Sequence, residues 1–131
     1  MIIGLGTDIV EISRIEARVP SAGAPNLAND RLATRVLTKF ELGLFVASAN
    51  PARYLAKRFA AKEAAAKALG TGIGRGVSFQ HIEISNNVNG APIVTFTGGA
   101  ADRMALLGGV RGHLSIADEK HYATATVIIE S

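Results

Sequence analysis

The chain has 131 residues, with 14 Lys and Arg against 11 Asp and Glu, and neither Cys nor Trp. That length fits one domain with a core of its own, and a sequence 48% hydrophobic but only 19% charged excludes a disordered chain. The lack of cysteine excludes disulfides and thiolate metal sites and agrees with a reducing, cytoplasmic setting. No apolar run approaches the ~18 residues of a membrane span, and Met1-Ile2-Ile3-Gly4 lacks the basic start of a secretory signal.

In chain order, Ile2 to Ile9 reads as a short buried strand with two glycines and Asp8 near its end. Ile12, Ile15 and Val19 are spaced for a helix over Val10 to Val19, and Arg14 and Arg18, four apart, share another face of it. Pro20 to Pro25 reads as a loop, and a helical stretch follows from about Leu27 to Val36. Thr38 with Glu41 three residues on predicts a capped helix to about Ser48. Pro51 suits the first turn of the strongest helix, which stops at Leu69-Gly70.

The second half changes period. His81 to Ser85 and Pro92 to Thr97 read as strands joined through a turn ending in Asn89-Gly90, and Gly99 to Leu107 as a helix. Gly112 to Ala117 and Tyr122 to Ile129 form a hairpin, the second strand alternating Ala123, Ala125, Val127 and Ile129 with Tyr122, Thr124, Thr126 and Ile128. Helices followed by hairpins predict an α+β fold, a single small domain over residues 1–131 with an antiparallel sheet packed by helices. Strand faces that are apolar or small on both sides, with 22 alanines, suit either a homo-oligomer or a sheet covered on both sides by this chain's own helices.

Charge is concentrated. Between Pro51 and Arg75 lie six basic residues and one acid, Glu63, a net of +5; the remaining eight basic and ten acidic residues give −2. A local anion site explains this better than a diffuse nucleic-acid surface, although a solvated helix face would also carry such charge. Glu63 projects from the stripe Leu55, Phe59, Ala66, Leu69, where a carboxylate is costly unless it is paired or binds a cation; Lys67, four residues on, offers an ordinary helix salt bridge. Asp8 caps the following helix or, if it converges with Glu63, helps form an Mg2+ site of two carboxylates completed by water and phosphate.

The glycines of Gly4-Leu5-Gly6-Thr7-Asp8 do not make a dinucleotide-binding turn, since position 9 is Ile and Asp8 would repel phosphate. Gly70-Thr71-Gly72-Ile73-Gly74-Arg75-Gly76 lacks the order of a phosphate-binding P-loop; it is a helix stop, or a loop whose amides line an anion. His113 alternates with Ser115 on a strand; such a histidine is more often structural than catalytic.

Three blocks carry a resemblance. Gly4-Leu5-Gly6-Thr7-Asp8-Ile9-Val10-Glu11-Ile12, then Phe59-Ala60-Ala61-Lys62-Glu63-Ala64-Ala65-Ala66-Lys67-Ala68-Leu69-Gly70-Thr71-Gly72-Ile73, then His113-Leu114-Ser115-Ile116 resemble the holo-acyl-carrier-protein synthase family of 4'-phosphopantetheinyl transferases across nearly the whole chain. The resemblance implies that family's fold, a homotrimer with sites between protomers, and Mg2+-dependent transfer of the phosphopantetheine arm of coenzyme A to a serine of apo acyl carrier protein, in support of fatty acid biosynthesis. It implies Asp8 and Glu63 as metal ligands, Lys62 and Lys67 on coenzyme A phosphates, and Gly70, Thr71 and Gly72 near the nucleotide. His113 would lie in the coenzyme A pocket, and Arg14 and Arg18 would face the acidic helix of the carrier protein. One departure stands out: family members often continue Ser-His-Glu or Thr-His-Glu where this chain has Ala117-Asp118-Glu119, so the role of that second histidine does not transfer.

Two other classes fit the composition less well. A non-catalytic nucleotide-binding module gains nothing from Asp8 and Glu63 beside phosphates. A small RNA-binding protein is favoured only by a pI near 9.6, and few aromatics are present for base stacking.

Overall fold

A computed structural model describes residues 1–131. Strand β1 (Ile2–Glu11) runs into a short helix α1 (Ile12–Glu16), followed by helices α2 (Arg31–Val36), α3 (Lys39–Ala47) and α4 (Pro51–Ala68). The second half holds β2 (Ile82–Asn86), β3 (Pro92–Phe96), helix α5 (Gly98–Leu106), β4 (Arg111–Asp118) and β5 (Tyr122–Glu130). The class is α+β, and the strands divide into two antiparallel sheets, one of order β1-β5-β4 and the hairpin β2-β3.

Local chemistry sets the helix ends. The Asn50 side chain accepts the Arg53 N–H ahead of Pro51, and α4 stops where Gly70 turns to φ +79°. At α3 the Thr38 hydroxyl and the Glu41 carboxylate exchange hydrogen bonds with each other's backbone, the expected reciprocal cap. The helical stretch expected over Leu27 to Val36 is interrupted: Leu27–Asn29 form a 3-10 turn, then Asp30 is extended and its carboxylate caps Ala33. Helix α1 is likewise shorter than its apolar spacing suggests, with Arg18 in the turn beyond it.

Helix α4 is the centre of the molecule. Leu55, Leu69 and a run of alanines (Ala60, Ala61, Ala64, Ala65, Ala66) are fully buried. One flank packs on the three-stranded sheet, where Ala123, Ala125, Val127 and Ile129 of β5 are buried. The approach of β1 is closer still: a Cβ on Gly4 would overlap the Ala68 carbonyl, and one on Gly6 the Ala64 carbonyl. Those glycines exist for backbone contact between strand and helix.

The opposite face of this sheet is uncovered. Leu5 and Ile9 are each 66% exposed, and they share that face with Thr7, His113 and Ser115. The buried strand expected at the start of the chain is therefore longer, and buried on one side only. The alternation is masked because Gly4, Gly6 and Asp8 precede Val10 on the inward face while Leu5 and Ile9 point outward.

Candidate active site

Asp8 follows Gly6 on the inward face of β1 and so arrives beside α4. There Lys67 Nζ donates to Asp8 Oδ1 at 3.0 Å and to the Thr7 carbonyl at 3.0 Å. Lys67 thus pairs with Asp8 rather than with Glu63, the partner that i,i+4 spacing on the helix offered. Glu63, one turn back, is half-buried and lines the same cleft as Asp8, a cavity of about 550 Å³. Burial pushes the Glu63 carboxyl above its ordinary pKa and the neighbouring Asp8 charge pushes it the same way, while Lys67 and Arg35 pull against them.

Two carboxylates facing one cleft, one of them pushed toward its neutral form by burial and then by the other, make a donor set that a divalent cation would relieve. Both donors are carboxylate oxygens, the ligand type suited to Mg2+, which takes one or two carboxylates, keeps waters and accepts substrate phosphates.

Arg14 and Arg18 line this same cleft, beside Phe59 and Tyr122. Arg14 is largely exposed and rests 3.5 Å from Glu11, a surface pair that costs little to exchange for another acid. The cleft therefore unites the expected metal ligands with the expected carrier-facing arginines.

Three other expectations fare differently. Lys62 is fully buried, and its ammonium donates to Glu41 Oε1 at 2.6 Å, the Val36 carbonyl at 2.7 Å and the Phe79 carbonyl at 3.1 Å. With every N–H engaged it reaches no phosphate, so its assignment to coenzyme A is corrected to an internal role. Burial lowers its pKa, and the Glu41 carboxylate opposes that shift.

The amides of Gly70, Thr71 and Gly72 turn back to the Lys67 and Ala66 carbonyls, closing α4 instead of lining an anion; the helix-stop reading holds for these N–H groups. His113 stands on the open face of β4, half exposed, 2.7 Å from Glu130. The sheet separates it from Asp8 and Glu63 within one chain. Asp118 binds Arg53 at 2.7 Å and lies 3.7 Å from Lys57, fastening the β4–β5 turn to the start of α4.

Sequence reading missed Arg58. It is 6% exposed, it takes part in no ion pair, and its guanidinium sits 4.7 Å from the Tyr54 ring centroid while donating to Asn86 Oδ1 at 3.1 Å. Its Nε and the Tyr54 hydroxyl have no hydrogen-bond partner, and burial raises the Tyr54 pKa. Arg53, Lys57 and Arg58 line a second cleft of about 380 Å³. The signal was available: stepping from Leu55 by three and seven along α4 reaches Arg58 and Lys62, two cations on a buried stripe.

With this geometry in place, comparison with known proteins is decisive. The 4'-phosphopantetheinyl transferase superfamily matches residues 4–127. The chain belongs to that superfamily. It is 79% identical to a holo-[acyl-carrier-protein] synthase of Shewanella halifaxensis and 76% identical to one of Shewanella piezotolerans, each over 131 residues and the full length of both chains. Among solved structures, the holo-[acyl-carrier-protein] synthase of Neisseria meningitidis aligns over all of both chains at 40% identity, with a TM-score of 0.85. That of Bacillus anthracis, solved with CoA (3',5'-ADP), aligns over 100% of this chain and 98% of its own at 37% identity and a TM-score of 0.79. The transferase fold is thus established for this chain.

Proposed function

We propose that the chain transfers the 4'-phosphopantetheine arm of coenzyme A to a serine of an apo acyl carrier protein, releasing adenosine 3',5'-bisphosphate, in support of fatty acid biosynthesis. The observation that carries this reading is the single cleft lined by Asp8, Glu63, Arg14 and Arg18, with Lys67 paired to Asp8 beside it. A binding module has no use for paired acids beside phosphates, whereas phosphoryl transfer between two anionic substrates needs both halves of that cleft. Relatives named for the same activity, and a Helicobacter pylori relative solved with coenzyme A, support it.

Asp8 and Glu63 are the residues to hold Mg2+, which when bound supplies positive charge to the pyrophosphate and its departing half. Lys67, already on Asp8, adds a second positive charge there. Arg14 and Arg18 receive acidic residues of the carrier and bring its serine into line. The serine oxygen forms a bond to the β-phosphorus as the bond to the bridging oxygen breaks, and the electron pair leaves on adenosine 3',5'-bisphosphate. The serine hydroxyl gives up its proton as that bond forms, and Glu63 would accept it through an intervening water.

Arg58 suits a further phosphate of the coenzyme, because a buried guanidinium lacking a carboxylate gains most from an anion. Gly70 and Thr71 line a third hollow with Arg75, Arg103 and Asp102, in keeping with a place near the nucleotide. The uncovered sheet face, with Leu5, Ile9 and His113 on it, is the surface for neighbours in a homotrimer, and through it His113 reaches a neighbouring protomer's coenzyme A pocket. The 131 residues act as one transferase domain. No helix is long and apolar enough to cross a membrane; the cytoplasm is the setting proposed for the reaction.

The test is Mg2+-dependent release of adenosine 3',5'-bisphosphate from coenzyme A in the presence of an apo carrier. Asp8→Asn and Glu63→Gln should each cut the rate by about 10²–10³ while the fold persists; wild-type rates in either would refute the assignment of the carboxylates.

A further inference from the structure

Lys62 and Glu63 are adjacent on α4 yet differ entirely in setting: one is saturated inside the protein, the other faces the cleft. The Lys62 ammonium is held by three acceptors on three elements: the Val36 carbonyl at the end of α2, the Glu41 carboxylate on α3, and the Phe79 carbonyl ahead of β2. Glu41 is saturated in turn, since Oε1 also accepts the Thr38 N–H at 2.8 Å and Oε2 accepts the Ile84 N–H at 2.7 Å.

Stability alone does not call for such a pair, because well-packed apolar residues of the same volume often serve as well or better. Direction is what it supplies. An ammonium with three fixed acceptors restricts the rotation and the axial setting of its helix. On the other flank, Gly4 and Gly6 bring β1 against the backbone of Ala64 and Ala68. At 100° per residue, Glu63 and Lys67 project from the sector between these two restraints, where Asp8 meets them.

We infer that Lys62 and Glu41 are positioning residues for the active-site carboxylates, fixing the rotation of α4 at which Glu63 shares a cleft with Asp8. The inference rests on the reading that Asp8 and Glu63 hold a divalent cation. It assigns Glu41, remote from the chemistry in sequence, a part in metal affinity.

The test uses Mn2+ as a paramagnetic probe of the intact protein, with free ion measured by electron paramagnetic resonance well below the Tm of each variant. Lys62→Met should weaken Mn2+ binding and lower kcat, each by about 10- to 100-fold, the usual effect of losing a residue that orients metal ligands. KM for coenzyme A should change by less than about twofold, because Lys62 touches no substrate. The double variant Glu41→Gln with Lys62→Met removes the lone buried carboxylate, so its Tm should move back toward wild type while Mn2+ affinity stays weak. Should Lys62→Met fail to fold, the double variant carries the test by itself. Wild-type Mn2+ affinity and kcat in a folded variant would overturn the inference, as would affinity that recovers together with Tm. Wild-type protein that binds no Mn2+ would instead overturn the metal reading on which it rests.

Discussion

Gly6→Ala probes the link between packing and chemistry most sharply, because one methyl group must disturb both. The added Cβ would overlap the Ala64 carbonyl and lie 2.7 Å from the Ala68 nitrogen. Both are helix backbone, so no flexible side chain can yield. Overpacking of this kind costs about 1–3 kcal/mol. An unfolding entropy of about 2.1 cal/mol/K per residue gives about 0.28 kcal/mol/K for a chain of this length, so Tm should fall by about 4–11 °C. The strand must also retreat by about 1 Å, and misplacement on that scale costs about 10²-fold in rate. Asp8, two residues on, moves with it and loses its 3.0 Å contact with Lys67. Calorimetry and the initial rate of carrier modification, measured at a temperature where the variant is folded, check both halves. An unchanged Tm with wild-type rate would refute the reasoning; a lowered Tm with wild-type rate would show that Asp8 does not depend on this contact.

Other predictions follow from single residues. Arg58→Gln should raise KM for coenzyme A by about 10- to 100-fold, the worth of a charge-assisted hydrogen bond, without lowering Tm, since a buried charge in no ion pair is removed; steady-state kinetics with a melting curve decide it. Charge reversal at Arg14 and Arg18 together should raise KM for the carrier and flatten its salt dependence while leaving KM for coenzyme A alone. The Glu63 carboxyl is raised above its unfolded value of 4.5, so between 4.5 and the folded value the native state binds more protons than the unfolded state. Metal-free stability therefore falls as pH rises through that window. Glu63→Gln should remove that slope from a plot of Tm against pH, and the Mg2+ concentration for half-maximal rate should rise in the wild type as pH falls through the same window.

What the sequence displayed, and what it hid, divides along the distance over which each residue acts. The Thr38–Glu41 cap and the Pro51 and Gly70 limits of α4 are local chemistry and are read directly. The second duty of Glu41 is not, because its partner Lys62 is 21 residues away and a cap looks complete by itself. For the same reason a charge count cannot sort the basic stretch, in which Lys62 faces inward to Glu41, Lys67 to Asp8 and Arg53 to Asp118. Asp8 and Glu63 stood out because a carboxylate on an apolar stripe is costly. Gly4 and Gly6 were legible as glycines needing an explanation, but the helix carbonyls that they accommodate, those of Ala68 and Ala64, are far along the chain.

The central claim is a covalent one, and the mass of the acceptor measures it directly. Apo acyl carrier protein incubated with this chain, coenzyme A and Mg2+ should gain one 4'-phosphopantetheine per serine acceptor by intact-mass spectrometry, and should gain none when Mg2+ is chelated. Several apo carriers that remain unmodified under conditions where the protein is folded would contradict the account.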